Sequence, residues 1–187
     1  MNSHTKLAKF IHWTFTLLYA YGIFKQVGDL NELEDASLLN FEILFATVFL
    51  IIVLIRYFYM KDAPTLLGAH EEVTKGHLLI AKTVHRLVYF SLIMLPTTGL
   101  LIAGLFNLEM RGVEIAVTLH EFSAFLSYLV IAIHVGASLY SRFKGEGLWN
   151  AMVPIWKETG KNNSDIVKKL EVMENKVYKK VEEKFKN

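Results

Sequence analysis

The chain has 187 residues, 53% of them apolar, with seven histidines, no cysteine and a formal net charge of +2. That length suits one domain, and the apolar share exceeds what an ordinary soluble fold carries. The missing cysteine excludes disulfides, iron–sulfur clusters and any thioether-attached cofactor.

In chain order, a polar, basic start with Lys6 and Lys9 precedes an apolar run from Phe10 to Phe24. No small-residue cleavage site follows, and His12-Trp13 suits a retained helix with its tryptophan at headgroup level. A first span is expected over residues 6–26. An acidic loop follows at 28–37, with Asp29, Glu32, Glu34 and Asp35. The second span is expected over 38–60, with Glu42 near its start and Arg56 near its end. Pro64 and Gly68 mark a loop, and 69–81 has the pattern of an amphipathic lead-in. The third span, 83–106, contains Pro96, which membrane helices tolerate because neighbours satisfy the freed carbonyl. A short loop with Glu109, Arg111 and Glu114 leads to the fourth, 115–143. Each run approaches or exceeds the roughly 20 residues needed to cross a hydrocarbon core.

Lysine and arginine concentrate at the N-terminus, in the 61–82 connection and in the tail, which places both termini in the cytoplasm. From Ser164 the tail is charged, with Ile166, Leu170, Met173, Val177 and Val181 at helical spacing. It is expected to form an amphipathic helix that lies on the inner membrane surface or pairs with a partner, against the plain alternative of a solvated helix. The fold expected is therefore an all-α membrane protein. An antiparallel four-helix transmembrane bundle would occupy 1–155, and a cytoplasmic amphipathic tail helix 156–187.

The stretch Leu119–Tyr140 carries His120 and His134, fourteen residues apart. On a helix that is about 21 Å of rise, with the two side chains within roughly 40° of one another. A lone histidine in a buried helix is as readily a hydrogen-bonded core residue as a ligand. Two on one face of a lipid-embedded helix are a functional pattern, because ionisable groups in the membrane are costly. By depth, His12 near the inner start of span one shares a level with His134 near the inner end of span four. Two imidazoles from facing helices can take both axial positions of a non-covalent, b-type haem, which then transfers electrons. His120 lies at the outer level, where span two offers Asn40-Phe41-Glu42. Glu42 is a poor ligand for low-spin haem iron and would instead accept a hydrogen bond from His120. His85 with Arg86, and Arg56, are expected near a haem propionate or quinone headgroup, or as interfacial residues obeying the positive-inside bias. His70 and His77 flank Glu71-Glu72 without the spacing of a zinc hydrolase. No glycine loop for phosphate is present, and the tail is too mixed in sign for nucleic acid.

These residues resemble the bacterial cytochrome b561 family over about residues 6–155. The pieces are His12-Trp13, Val53-Leu54-Ile55-Arg56, His85-Arg86-Leu87-Val88-Tyr89 with Leu95-Pro96 and Gly99, Leu119-His120-Glu121, and His134-Val135-Gly136-Ala137. The closing segment from Lys144-Gly145-Glu146-Gly147-Leu148 to Met152-Val153-Pro154 completes them. The resemblance implies a bundle in a bacterial inner membrane holding two b haems and passing electrons between ubiquinone or menaquinone and a donor or acceptor, superoxide at the outer face among them. Carried over, His12 and His134 bind the inner haem iron and His120 the outer one. The family's span-two histidine falls on Glu42. Rival expectations are a membrane-anchor subunit of a dehydrogenase or hydrogenase, its tail docking a redox partner at the cytoplasmic face, and a haem-poor structural descendant of the fold.

Overall fold

A computed structural model describes residues 4–70, 72–158 and 160–185. Among these the chain is all-helical, with α1 (Lys6–Phe24), a 3-10 turn (Leu30–Glu34), α2 (Ala36–Met60), α3 (Lys75–Asn107), α4 (Val113–Lys144), α5 (Leu148–Met152) and α6 (Asp165–Lys184). The acidic loop is built from caps. Asp29 and Glu32 form a reciprocal capping box, and Asp35 starts α2 by accepting the Ser37 amide. That amide holds the exposed Asp35 carboxyl below its ordinary range. The expected lead-in begins later than its pattern predicts, at Lys75. The Thr74 hydroxyl accepts the His77 amide there, while His70 donates its own amide to the Glu146 carbonyl and is tied to a loop.

α2, α3 and α4 are long and apolar enough to cross a membrane. α1 is not among them, since Lys6, Lys9 and His12 occupy its first two turns. Only 17% of the most apolar window of α2, and the same of α4, is buried inside the protein, so the apolar faces look outward. On α2 the outward stripe is Leu44, Val48, Ile51, Ile55 and Phe58; on α4 it is Phe122, Phe125, Leu129 and Ile133. The inward positions hold small polar residues. Ser91, Ser123 and Ser127 are fully buried, and each donates its hydroxyl to a carbonyl of the preceding turn. This inside-out distribution is that of helices solvated by lipid, which meet through small residues and self-satisfied hydroxyls.

The chain forms two compact units. One comprises Phe10–Asp62 and Val88–Val130; the other comprises Met1–Lys9, Ala63–Leu87 and Ile131–Asn187. In the first, α1 meets α2 through Tyr21 on Phe45 and Tyr19 on Phe49, and meets α4 through a hydrogen bond between the Tyr19 and Ser127 hydroxyls. Toward the 3-10 turn, Leu33, Leu39, Ile102, Ala103 and Ala116 make a small apolar core.

In the second unit α6 packs beside the first turn of α3 and the last turns of α4. His77 stacks on Tyr178 with ring centroids 4.5 Å apart, and Lys144, almost fully buried, bridges Glu146 and Glu174. Tyr178 donates to Glu174; burial, then that carboxylate, hold its phenol protonated well above the usual tyrosine range. Gly76 lets the two backbones touch, since a Cβ there would strike the Tyr178 carbonyl. Gly76→Ala is therefore expected to expel α6. Overpacking of this kind costs about 1–3 kcal/mol, read as faster tryptic cleavage within α6 at unchanged cleavage elsewhere.

Candidate functional site

α4 is unbroken from Val113 to Lys144 and carries both His120 and His134, half-buried. His120 is held by α3. Thr98 on that helix places its hydroxyl oxygen 3.0 Å from His120 Nδ1 and within 3.0 Å of the Met94 and Leu95 carbonyls. The single hydroxyl proton goes to a carbonyl, so Nδ1–H of His120 is the donor to Thr98 and Nε2 carries the lone pair. That is the tautomer a metal-bound histidine requires, with its second nitrogen fixed by an outer partner. Gly99 lies against the same ring, where an added Cβ would stand 3.4 Å from Cε1. Thr98→Val is expected to remove one of the two acceptors around the imidazole N–H, the Leu95 carbonyl being the other, at about 0.5–1.5 kcal/mol. The check is a lower melting temperature that Thr98→Ser restores.

Glu42 does not accept the hydrogen bond expected from His120. Its Oε2 pairs with Lys25 at the end of α1, and Lys25 also lies over the Phe45 ring, 4.6 Å from its centre. Glu42 Oε1 is buried and takes no hydrogen bond among the described residues, and the carboxylate stays within electrostatic range of His120. The reason is charge: a carboxylate in a low-dielectric bundle is stabilised far more by an ammonium than by a neutral imidazole.

His12 on α1 stands edge-on to Phe15 and Trp13, at 5.2 and 5.8 Å between ring centres. Arg56, buried to 9% exposure, lies 5.2 Å over the opposite partner of that stack, Phe15, and donates to the Tyr89 phenol. The first unit thus encloses an aromatic group around His12 with a buried guanidinium beside it.

In the second unit His85 and His134 are neighbours, their ring centres 5.1 Å apart and nearly edge-to-face. His85 Nδ1 lies 2.9 Å from the Ala81 carbonyl, which can only accept, so this nitrogen carries the proton. An edge-to-face pair does not aim two in-plane lone pairs at one iron, so His85 flanks His134 rather than opposing it. Arg86 is exposed. His70 and His77 border a cleft of about 190 Å³ with Lys144, Glu146 and Tyr178; Glu71 lies outside the described residues.

Sequence reasoning missed Thr98, Tyr89 and Lys25. For Lys25 a signal existed, an opposite charge ending the apolar run before the one Glu42 opens. For Thr98 and Tyr89 there was none, because which helix face meets which is not written in either helix alone.

Haem b asks for neutral imidazoles with a fixed second nitrogen and cations near its carboxylates. The tautomer of His120, and the buried Arg56 guanidinium beside the aromatic group around His12, fit that chemistry; Glu42 does not supply an imidazole. An all-helical scaffold with outward apolar faces and imidazoles set along its long apolar helices is that of a helical membrane protein. The chain belongs to the prokaryotic cytochrome b561 family, whose profile matches residues 3–154. It is accordingly a bacterial membrane protein of b-type haem electron transfer. Comparison with curated proteins finds no match, and comparison with solved structures finds none.

Proposed function

We propose that this protein is a four-span cytochrome b of the bacterial inner membrane that carries one haem, on His12 and His134 near the cytoplasmic side, and exchanges single electrons with the quinone pool. α1 is the fourth span of an antiparallel bundle over 1–155, and both termini are cytoplasmic, as the distribution of lysine and arginine favours. The haem supplies the reversible one-electron couple. The chain's own residues do the rest. His12 and His134 would hold the haem iron through their imidazole nitrogens, and His85 packs against the His134 ring and limits its rotation. Arg56 would neutralise a propionate from within the aromatic group, and Arg86 with His85 would meet the quinone headgroup at the inner surface.

The observation that carries this reading is the Lys25–Glu42 ion pair within reach of His120. In this reading the span-two position at the level of His120 is a carboxylate already neutralised by a lysine, so that level would lack a second nitrogen ligand. The test is haem per polypeptide by pyridine haemochrome on the detergent-purified chain, with reduction by a quinol followed at the α band. One haem per chain, reduced by quinol, is the expected result. Two haems would overturn the single-centre reading, and a colourless protein would overturn the cytochrome reading.

A further inference from the structure

α6 docks by a face other than its apolar stripe. The apolar stripe its sequence displays, Ile166, Leu170, Met173 and Val177, is exposed by 72%, 42%, 64% and 52%. The residues that hold it to the protein lie on the adjoining face: Val167, almost fully buried, Glu174 against Lys144, and Tyr178 against His77. A helix that belonged only to the fold would turn its apolar stripe inward, since burying it is worth about 25 cal/mol per Å². Here the polar face is latched and the apolar one is presented.

We propose that this presented stripe is a lipid-binding surface, with α6 lying in the interface of an anionic membrane while latched to the ends of α3 and α4. Two observations select lipid as the occupant. The first is depth. Glu174 reaches the Tyr140 hydroxyl as well as Lys144, and Tyr178 meets Gly76 and His77. These contacts lie on the first turn of α3 and the last turns of α4, so α6 is held at the ends of two helices long and apolar enough to cross a membrane. The second is charge. Lys169, Lys176 and Lys180 border the stripe on the side away from the latch, while Glu171 and Glu174 turn toward the protein cleft or its lysine. An apolar stripe with a lysine margin is the pattern that binds anionic headgroups and the outer acyl region together. The inference goes beyond the haem assignment and does not depend on how many haems are bound.

The cysteine-free chain permits a direct test. Single nitroxide labels at Met173→Cys, Val177→Cys and, on the opposite side of α6, Lys168→Cys are read by power saturation. The full-length protein is placed in vesicles of phosphatidylcholine with and without phosphatidylglycerol. Labels at 173 and 177 are expected to be more accessible to oxygen than to a water-soluble nickel chelate, and the label at 168 the reverse. The contrast at 173 and 177 should grow when phosphatidylglycerol is present and shrink again in the Lys169→Gln/Lys176→Gln/Lys180→Gln background. Equal access of the nickel chelate to all three sites would overturn the proposal. So would dipolar broadening at 173 or 177 that disappears on dilution with unlabelled protein, which would make a second copy the occupant.

Discussion

His134→Ala and His12→Ala are each expected to yield protein without haem, whereas His120→Ala and His85→Ala retain it. The argument rests on what each imidazole has around it. A low-spin b haem needs two nitrogen ligands, and loss of either leaves a single bond holding a cofactor that no cysteine of this chain can tether. His85 is the informative control. Its ring stands 5.1 Å from that of His134 in an edge-to-face pose, and its Nδ1 proton is committed to the Ala81 carbonyl. Its removal should therefore leave the α band in place and alter its position or the quinol reduction rate. Haem lost from His85→Ala and kept in His12→Ala would mean that the inner centre is built within α3 and α4 alone. Folding of each variant is checked by its helical circular dichroism, so that loss of ligand and loss of fold are told apart.

The second large effect is a gain. Glu42→His is expected to raise the haem content from one to two per chain. The residue facing it is already prepared, because Thr98 fixes His120 with its Nε2 as the lone-pair nitrogen and Gly99 keeps α3 close to the ring. What the outer level lacks is a neutral nitrogen donor in place of a hard, negatively charged oxygen. The substitution strips Lys25 of its ion-pair partner inside the bundle, where its side chain is only 15% exposed, and an unpaired buried charge is costly. Glu42→His is thus best made together with Lys25→Gln. A second α-band component in the reduced spectrum, lost again on adding His120→Ala, is the outcome expected. A folded double variant that still binds one haem would show that the outer level has lost its haem cavity as well as its ligand.

These two results bear on the direction of electron flow. Under the proposal of one centre near the cytoplasmic side, electrons would exchange with quinone on that side only. A second centre one helix length away would extend the path to the outer face. On the single-haem proposal, the Lys25–Glu42 pair between α1 and α2 would be the feature that keeps electrons from reaching the outer face.

The sequence by itself determined the helices, the lipid environment and the histidine register. Hydrophobic runs of near-membrane length can satisfy their backbone only as helices. Fourteen residues between His120 and His134 define their separation on a helix regardless of what packs there. The 3-10 turn and its caps were legible as an acidic loop, though not as a capping box. Tertiary structure decided the partners. Helical periodicity groups residues onto faces, and it does not say which face meets which neighbour. So Thr98 at His120, Tyr89 at Arg56 and His85 beside His134 emerge only once α2, α3 and α4 pack. The tail shows the same division most sharply. Its apolar stripe was plain in the sequence, with the membrane surface, a partner or solvent as its expected surroundings. Gly76 lets the backbone of α6 come close enough for His77 to stack on Tyr178 and for Lys144 to pair with Glu174. Those directional contacts hold α6 by the face adjoining its stripe, and hydrophobic patterning, which groups residues without naming their partners, does not supply them.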